Sequence, residues 1–99
     1  MISNQEKYIN LGTQKRDGSF VNTPVWFAQE GEKNNYFIFS NNKAGKIKRI
    51  RNFPLVKVSV CNYKGDSLGE WYPAKAELID GPETVNLAFS ELRNKYGWQ

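Results

Sequence analysis

The sequence feature that most constrains the fold is the dipeptide Asp17-Gly18, which separates two segments of strand-like composition. Glycine adopts positive φ without steric cost, so Asp-Gly is one of the strongest local signals for a tight β-hairpin. The flanking segments, residues 7–13 and 19–28, are therefore predicted to be neighbouring antiparallel strands. Pro24 interrupts the second strand. Because proline donates no ladder hydrogen bond, we expect it at a sheet edge or a bulge.

Three further segments have the composition of strands. Residues 36–40 are an aromatic run and predict a third strand. Residues 55–61 alternate in type, which predicts a half-buried strand with its valines, Val56, Val58 and Val60, on the core side. Residues 69–80 predict a long strand whose inward residues are Ala74, Ala76 and Leu78.

Two helices are predicted by a change of period. Within residues 42–52, Ala44, Ile47 and Ile50 recur every three residues and mark one apolar face. Pro54 ends this helix, since the residue before proline avoids the α region. A second helix is predicted to begin at Pro82 and to stop at Gly97. Together these elements indicate a mainly β domain, a small antiparallel barrel with a short basic helix and a C-terminal helix.

Length and composition limit the function. The chain has 99 residues, enough for one domain spanning residues 1–99, and its 39% hydrophobic content supports a packed core. No apolar run is long enough for a membrane helix, and the first residues lack the apolar stretch of a signal peptide. With one cysteine, Cys61, no intrachain disulfide can form, so a cytoplasmic location without membrane association is expected.

The sequence contains no histidine. This excludes Ser-His-Asp and Cys-His catalytic arrangements, and it leaves little basis for a zinc site. No metal site is therefore expected, no side chain stands out as a catalytic acid or base, and catalytic residues cannot be named. Any chemistry would come from a bound cofactor.

Positive charge is concentrated in the middle of the chain. The net charge is +4, and no acidic residue lies between Glu32 and Asp66. The basic residues in that interval are Lys33, Lys43, Lys46, Lys48, Arg49, Arg51, Lys57 and Lys64. A field of one sign attracts anions, and the candidates are nucleic acid, an acidic membrane surface and a phosphorylated small molecule. A solvated helix face is the alternative interpretation of the same run.

The order of several short motifs resembles one family. These motifs are residues 7–13, Arg16-Asp17-Gly18, the segment from Thr23 to Phe27, residues 37–40 and residues 45–51. In this order and spacing they resemble the flavin-binding split barrels related to pyridoxamine 5'-phosphate oxidase. The closest pattern is the branch that uses the deazaflavin coenzyme F(420). The family continues beyond the C-terminal helix with a further strand, which this chain is expected to lack.

The resemblance implies a split β-barrel homodimer with a cofactor site at each subunit interface. Thr23, Pro24, Val25 and Trp26 would lie along the flavin ring, and Ser40 and Lys46 would hold the ribityl phosphate. Gly45 leaves room for a ligand at the start of the helix, and a helix start also attracts phosphate. Lys43, Lys48, Arg49 and Arg51 exceed what one phosphate needs, which slightly favours coenzyme F(420), with its acidic tail, over FMN.

The expected function is therefore that of a flavin- or deazaflavin-dependent oxidoreductase that transfers a hydride or electron pair to a small-molecule substrate. Two alternatives stay open. One is a homologue that binds the cofactor without turnover. The other, less favoured, is a small basic barrel that binds single-stranded nucleic acid by stacking bases on Tyr36, Phe37, Phe39 and Tyr63.

Overall fold

In a computed structural model of the chain, which describes residues 2–40 and 44–97, six strands form two antiparallel sheets with two helices. The larger sheet has four strands in the order β2-β1-β5-β6, and β3 pairs with β4 in the smaller one. The larger sheet is open, with β2 and β6 at its edges. In chain order the elements are β1 (Tyr8–Gln14), β2 (Phe20–Val25), β3 (Phe27–Gln29), β4 (Tyr36–Ile38), α1 (Gly45–Asn52), β5 (Leu55–Cys61), β6 (Tyr72–Lys75) and α2 (Pro82–Tyr96).

The predicted hairpin is confirmed, and Gly18 takes the positive φ, 89°, that its turn requires. Pro24 lies in an edge strand as expected, opposite Asn10 of β1. The prediction of a strand over residues 19–28, interrupted by Pro24, is wrong about where the break lies. The strand ends at Val25 and a new one begins at Phe27, so the chain passes from the larger sheet to the smaller one at Trp26.

The prediction for the last strand is wrong in length and in orientation. β6 covers only Tyr72–Lys75 instead of residues 69–80. Ala74 and Leu78 are exposed, and of the three residues expected inside only Ala76 packs against the core. As an edge strand β6 has a single partner, β5, so the sheet covers little of its surface.

The alternation of β5 does not separate a buried face from an exposed one. Val56 is buried, but Ser59 and Cys61 on the opposite face are buried as well. The reason is the loop that follows: Ser59 Oγ lies 2.6 Å from Ser67 Oγ and donates to the Gly69 carbonyl at 3.2 Å. These contacts hold the loop over the second face, so a serine that the pattern predicts to be exposed is covered.

The core lies where the two sheets and α1 meet. Phe27 is fully buried at the start of β3, and Ile50 brings the apolar face of α1 against the sheet. The remaining buried members of this cluster are Ile2, Ile9, Leu11, Val25 and Val56. Side chains from β1, β2, β3, β5 and α1 thus share one core.

The helix boundaries follow the sequence signals closely. α1 ends at Asn52, and Phe53, the residue before Pro54, is extended. The N-cap residue of α1 is Ala44. The predicted start of this helix at Asn42 lies outside the described residues. α2 begins at Pro82 and ends at Gly97, which adopts the left-handed conformation with φ 72°. Of the described helices, neither has the length and apolar character needed to cross a bilayer.

The Tyr96 hydroxyl ties the end of α2 to both sheets. It donates to the carbonyl of Lys7 at 2.7 Å, just before β1, and accepts from the Phe27 N–H at 3.1 Å. Burial raises the pKa of this phenol above its ordinary value. The hydroxyl therefore satisfies backbone groups at the point where the chain changes sheet.

Replacing this hydroxyl tests its importance. In Tyr96→Phe the ring is kept but the Phe27 N–H loses its acceptor, and we expect the free energy of unfolding to fall by roughly 1–3 kcal/mol. Urea denaturation with an unchanged slope provides the measurement. Tyr63→Phe, which alters an exposed ring, is the matched control. Equal midpoints for the two variants would show that the Tyr96 hydroxyl contributes little.

Candidate functional site

An open groove lies along the end of edge strand β2, where the chain leaves the larger sheet. Its volume of about 570 Å³ is within the range of small-molecule sites. Aromatic side chains provide most of its wall, and one cation lies among them. The lining residues are Tyr8, Pro24, Val25, Trp26, Phe39, Lys46, Tyr63 and Phe89.

Trp26 supplies a flat wall of this groove. Its ring is 41% exposed and stacks on the ring of Tyr96, with centroids 5.1 Å apart and an angle of 18° between the planes. The sheet change at Trp26 turns the side chain outward, and α2 supports it from behind. A rigid, partly exposed indole of this kind can stack on a planar ligand.

Two other aromatic residues of the groove lie in segments that connect strands and helices. Phe39, which follows β4, packs against Phe89 of α2 with ring centroids 5.3 Å apart, yet remains 58% exposed. Tyr63 is 68% exposed and lies in the turn after β5. Asn10 anchors that turn, since its Nδ2 donates to the Gly65 carbonyl at 2.6 Å. These side chains leave a broad apolar surface open to solvent.

Lys46 brings positive charge to the groove from the first turn of α1. This turn contains no acidic residue, and the N-cap residue, Ala44, provides no side-chain cap hydrogen bond. Arg49, one turn further along, is directed elsewhere: its Nε donates to Thr13 Oγ1 of β1 at 2.6 Å, and Thr13 is fully buried. One basic residue of the helix therefore serves the groove, and another fixes the helix to the sheet.

The groove brings together half of the residues proposed from the sequence, namely Pro24, Val25, Trp26 and Lys46. Thr23 lies opposite Leu11 of β1 and is not among the residues that line the groove. Ser40 is partly buried and makes other interactions, and Gly45 and Arg51 are exposed on α1. A side chain at Gly45 would meet Arg49 rather than the groove. Lys43 lies outside the described residues.

Sequence reasoning missed four lining residues as members of this site: Tyr8, Phe39, Tyr63 and Phe89. Phe39 and Tyr63 were proposed as stacking residues for nucleic acid and not as residues of the cofactor site. Tyr36 and Phe37, grouped with them, are partly and fully buried. The best sequence signal for Tyr8, Phe39 and Tyr63 is that they are large aromatic residues next to loops, and this signal is weak; Phe89, within α2, has no such signal.

The arrangement suits binding more clearly than acid–base chemistry. A flat apolar wall with one ammonium at its edge can hold a planar ring that carries an anionic group. The lining contains no carboxylate, and no group of three or more Cys, Asp or Glu side chains able to hold a metal occurs among the described residues.

A second, smaller groove of about 480 Å³ lies between the N-terminal residues and the end of α2. It is lined by Asn4, Gln5, Lys7, Lys95 and Tyr96. The Lys95 Nζ lies over the face of Phe27, 3.4 Å from the ring centroid. Burial lowers the pKa of Lys95 to about 8, although the nearby Glu6 charge opposes this shift.

Comparisons with known proteins inform the fold. No protein-family model matches the sequence, and no curated protein matches it. The fold is similar to the crystal structure of the conserved hypothetical protein Rv2991 from Mycobacterium tuberculosis, with a TM-score of 0.76 and 21% sequence identity. The match covers 94% of this chain and 58% of that one, so the chain spans little more than half the length of its structural neighbour. At this identity the likeness shows the fold alone.

The lowered pKa of Lys95 predicts how stability depends on pH. Between pH 8 and 10.5 the unfolded chain holds a proton on Lys95 that the folded chain has released. Raising the pH through this window should therefore increase the free energy of unfolding, because the folded chain no longer buries a charged amine. The penalty for burying the ammonium is greatest below pH 8. We expect the urea midpoint of wild type to rise relative to that of Lys95→Met between pH 7 and pH 10.

The exposed residue Lys15 provides the control for this titration. Lys15→Met, which removes an exposed ammonium, is measured over the same pH series for comparison. A constant difference for Lys95→Met would contradict the inferred burial of the amine.

Proposed function

We propose that the protein is a redox protein that binds a flavin-type cofactor, FMN or the deazaflavin coenzyme F(420), in the groove lined by Trp26 and Lys46. The cofactor would transfer a hydride or electron pair to a small-molecule substrate. The observation that carries the proposal is that Pro24, Val25, Trp26 and Lys46, selected from the sequence by resemblance to flavin-binding split barrels, line one groove.

The shape and charge of the groove support a planar ligand with a phosphate. The Trp26 ring is held by its stack on Tyr96, so little conformational entropy is lost when a second ring stacks on it. Lys46 lies in the first turn of α1, where the N–H groups of the helix start and the helix dipole also favour an anion. The ring would lie on the aromatic wall and the phosphate at the helix start.

The choice between the two cofactors depends on the remaining positive charge. Coenzyme F(420) carries an acidic tail beyond its phosphodiester, and Lys48 and Arg51 are exposed on α1 where they could attract it. Arg49 is committed to Thr13, which removes one cation from the surplus expected from the sequence. The charge balance thus gives FMN and coenzyme F(420) similar support.

A split barrel that completes itself as a homodimer is the architecture we propose. The larger sheet is open, and large apolar side chains remain more than half exposed at Phe39, Leu55, Tyr63 and Leu68. Exposed apolar groups in such number favour association, and a symmetric partner is the commonest solution. Phe39 and Tyr63 line the groove, so a second subunit could enclose the cofactor there.

Binding of single-stranded nucleic acid has less support. Of the four aromatic residues proposed to stack on bases, Phe37 belongs to the buried set and Tyr36 packs against the core. A homologue that binds the cofactor without turnover would share the groove, and reduction assays with candidate acceptors distinguish it from an enzyme.

Removing the Lys46 ammonium tests the cofactor site. An ammonium–phosphate contact contributes roughly 1.5–3 kcal/mol, so Lys46→Ala should weaken FMN binding about 10- to 100-fold. Lys48→Ala, on the exposed side of the same helix, is the matched control and should change FMN affinity little. Fluorescence titration with FMN and with coenzyme F(420), at low and at 1 M salt, gives both affinities and their salt dependence. Equal affinities for Lys46→Ala and Lys48→Ala would remove Lys46 from the site.

We also expect the protein to be a dimer in solution. Light scattering at micromolar concentration should give twice the mass of the chain, and Tyr63→Lys should shift the population toward monomer because it places a charge in the proposed interface. Lys64→Glu, a charge change at the adjacent exposed residue, tests whether any new charge in this turn has the same effect. A monomer that still binds cofactor would exclude an interface site.

A further inference from the structure

The strand β6 loses its partner before its sequence stops favouring a strand. β6 covers Tyr72–Lys75 and pairs with β5, and the last bond of this ladder runs from the Ala76 N–H to the Pro54 carbonyl at 2.8 Å. Within the described part of the chain, residues 77–80 make no backbone hydrogen bond. Their composition still predicts a strand, but the neighbouring strand β5 begins only at Leu55. A partner strand is therefore the element that this segment lacks.

The bond from Ala76 establishes which backbone groups of β6 point away from the sheet. Successive residues of a strand direct their N–H and C=O groups to opposite sides. Because Ala76 bonds to β5, Pro73 and Lys75 direct their groups outward, and an extended continuation does the same at Glu77 and Ile79. Pro73 has no N–H to donate, so the edge that can accept a new strand begins at Lys75. Lys75, Glu77 and Ile79 are all exposed.

We propose that this edge pairs with the same edge of a second copy of the chain, antiparallel about a two-fold axis at Ala76. Directly opposite residues of an antiparallel pair have their side chains on the same face. In this register Lys75 lies opposite Glu77 of the second copy, and the two-fold axis repeats this contact. Neither side chain has an ion-pair partner among the described residues. Two charge pairs and a short ladder then join the two sheets edge to edge.

Charge and side-chain size select this register over its neighbours. Moving the axis by one residue places Lys75 opposite its own copy or Glu77 opposite its own copy, and like charges in that position destabilise a sheet. With the axis at Ala76, the side chain of Leu78, which is 41% exposed, lies against the small, exposed Ala74 of the second copy. The pairing thus covers an apolar side chain that the single chain leaves in solvent.

The β6 edge is separate from the cofactor groove. β6 and β2 are the two outer strands of the larger sheet, and the groove lies along the end of β2. The edge pairing therefore does not rest on cofactor binding or on the subunit contact proposed at Tyr63. If that contact also forms, the edge pairing joins two dimers.

Sedimentation velocity over a concentration series tests the pairing. A ladder of this length buries little area, so we expect weak association, with the mass doubling between about 10 µM and about 1 mM. Lys75→Glu and Glu77→Lys should each lose the doubling, because each places like charges opposite one another twice. An equimolar mixture of the two variants should regain it, since every opposite pair then carries opposite charges. A mixture that behaves as the sum of its parts, or a wild type that does not associate, would overturn the proposal.

Two further variants separate this contact from other effects. Lys15→Glu makes the same charge change at an exposed position outside β6 and should keep the doubling. Both edge variants retain a positive net charge, so general attraction cannot explain a gain on mixing. Tyr63→Lys should still double its mass in the same range, whether or not the contact proposed at Tyr63 exists. Loss of the doubling in Lys15→Glu or in Tyr63→Lys would contradict an association specific to the β6 edge.

Discussion

The transfer of the chain from one sheet to the other at Trp26 is the constraint on which the remaining structure depends. Val25 ends an edge strand and Phe27 starts the next sheet, and both side chains are buried in the same core. The residue between them must then point away from that core, which turns a tryptophan toward solvent. The same step creates the groove, because the edge of the larger sheet ends there and no other strand within residues 2–40 and 44–97 pairs with that edge.

A backbone that changes sheets leaves polar groups unpaired, and Tyr96 resolves this problem. Its hydroxyl accepts from the Phe27 N–H and also lies within hydrogen-bonding distance of the Phe27 carbonyl, at 3.0 Å. Burying an unsatisfied backbone N–H costs about 1–3 kcal/mol, so docking of α2 stabilises the junction directly. The ring of the same residue supports Trp26. The preceding residue, Lys95, also contacts this junction, with its amine over the Phe27 ring.

Local sequence signals predicted the hairpin and the helix ends well. The predictions that failed depended on tertiary contacts. Asp17-Gly18, Pro54, Pro82 and Gly97 act on their own neighbours, and the hairpin and the helix ends lie where they indicate. The burial of Ser59 depends on a loop eight to ten residues later, which alternation along one strand cannot reveal. The groove is even harder to predict from the sequence, because its walls come from β1, β2, α1, α2 and the loops between elements. Only the contiguous part, residues 24–26, and Lys46 were proposed in advance.

The basic run that appeared uniform in the sequence is divided among different tasks in the fold. Arg49 fixes α1 by a hydrogen bond to buried Thr13, whereas Lys46 lines the groove and Lys48 and Arg51 remain exposed. Lys57, further along the run, lies between the rings of Phe20 and Trp71 at 4.6 and 4.5 Å from their centroids. Charge density alone therefore overstates the positive field at any one site. Among the described lining residues, a ligand in the groove would meet one ammonium, that of Lys46, and a wide aromatic surface, which suits a planar molecule with an anionic group.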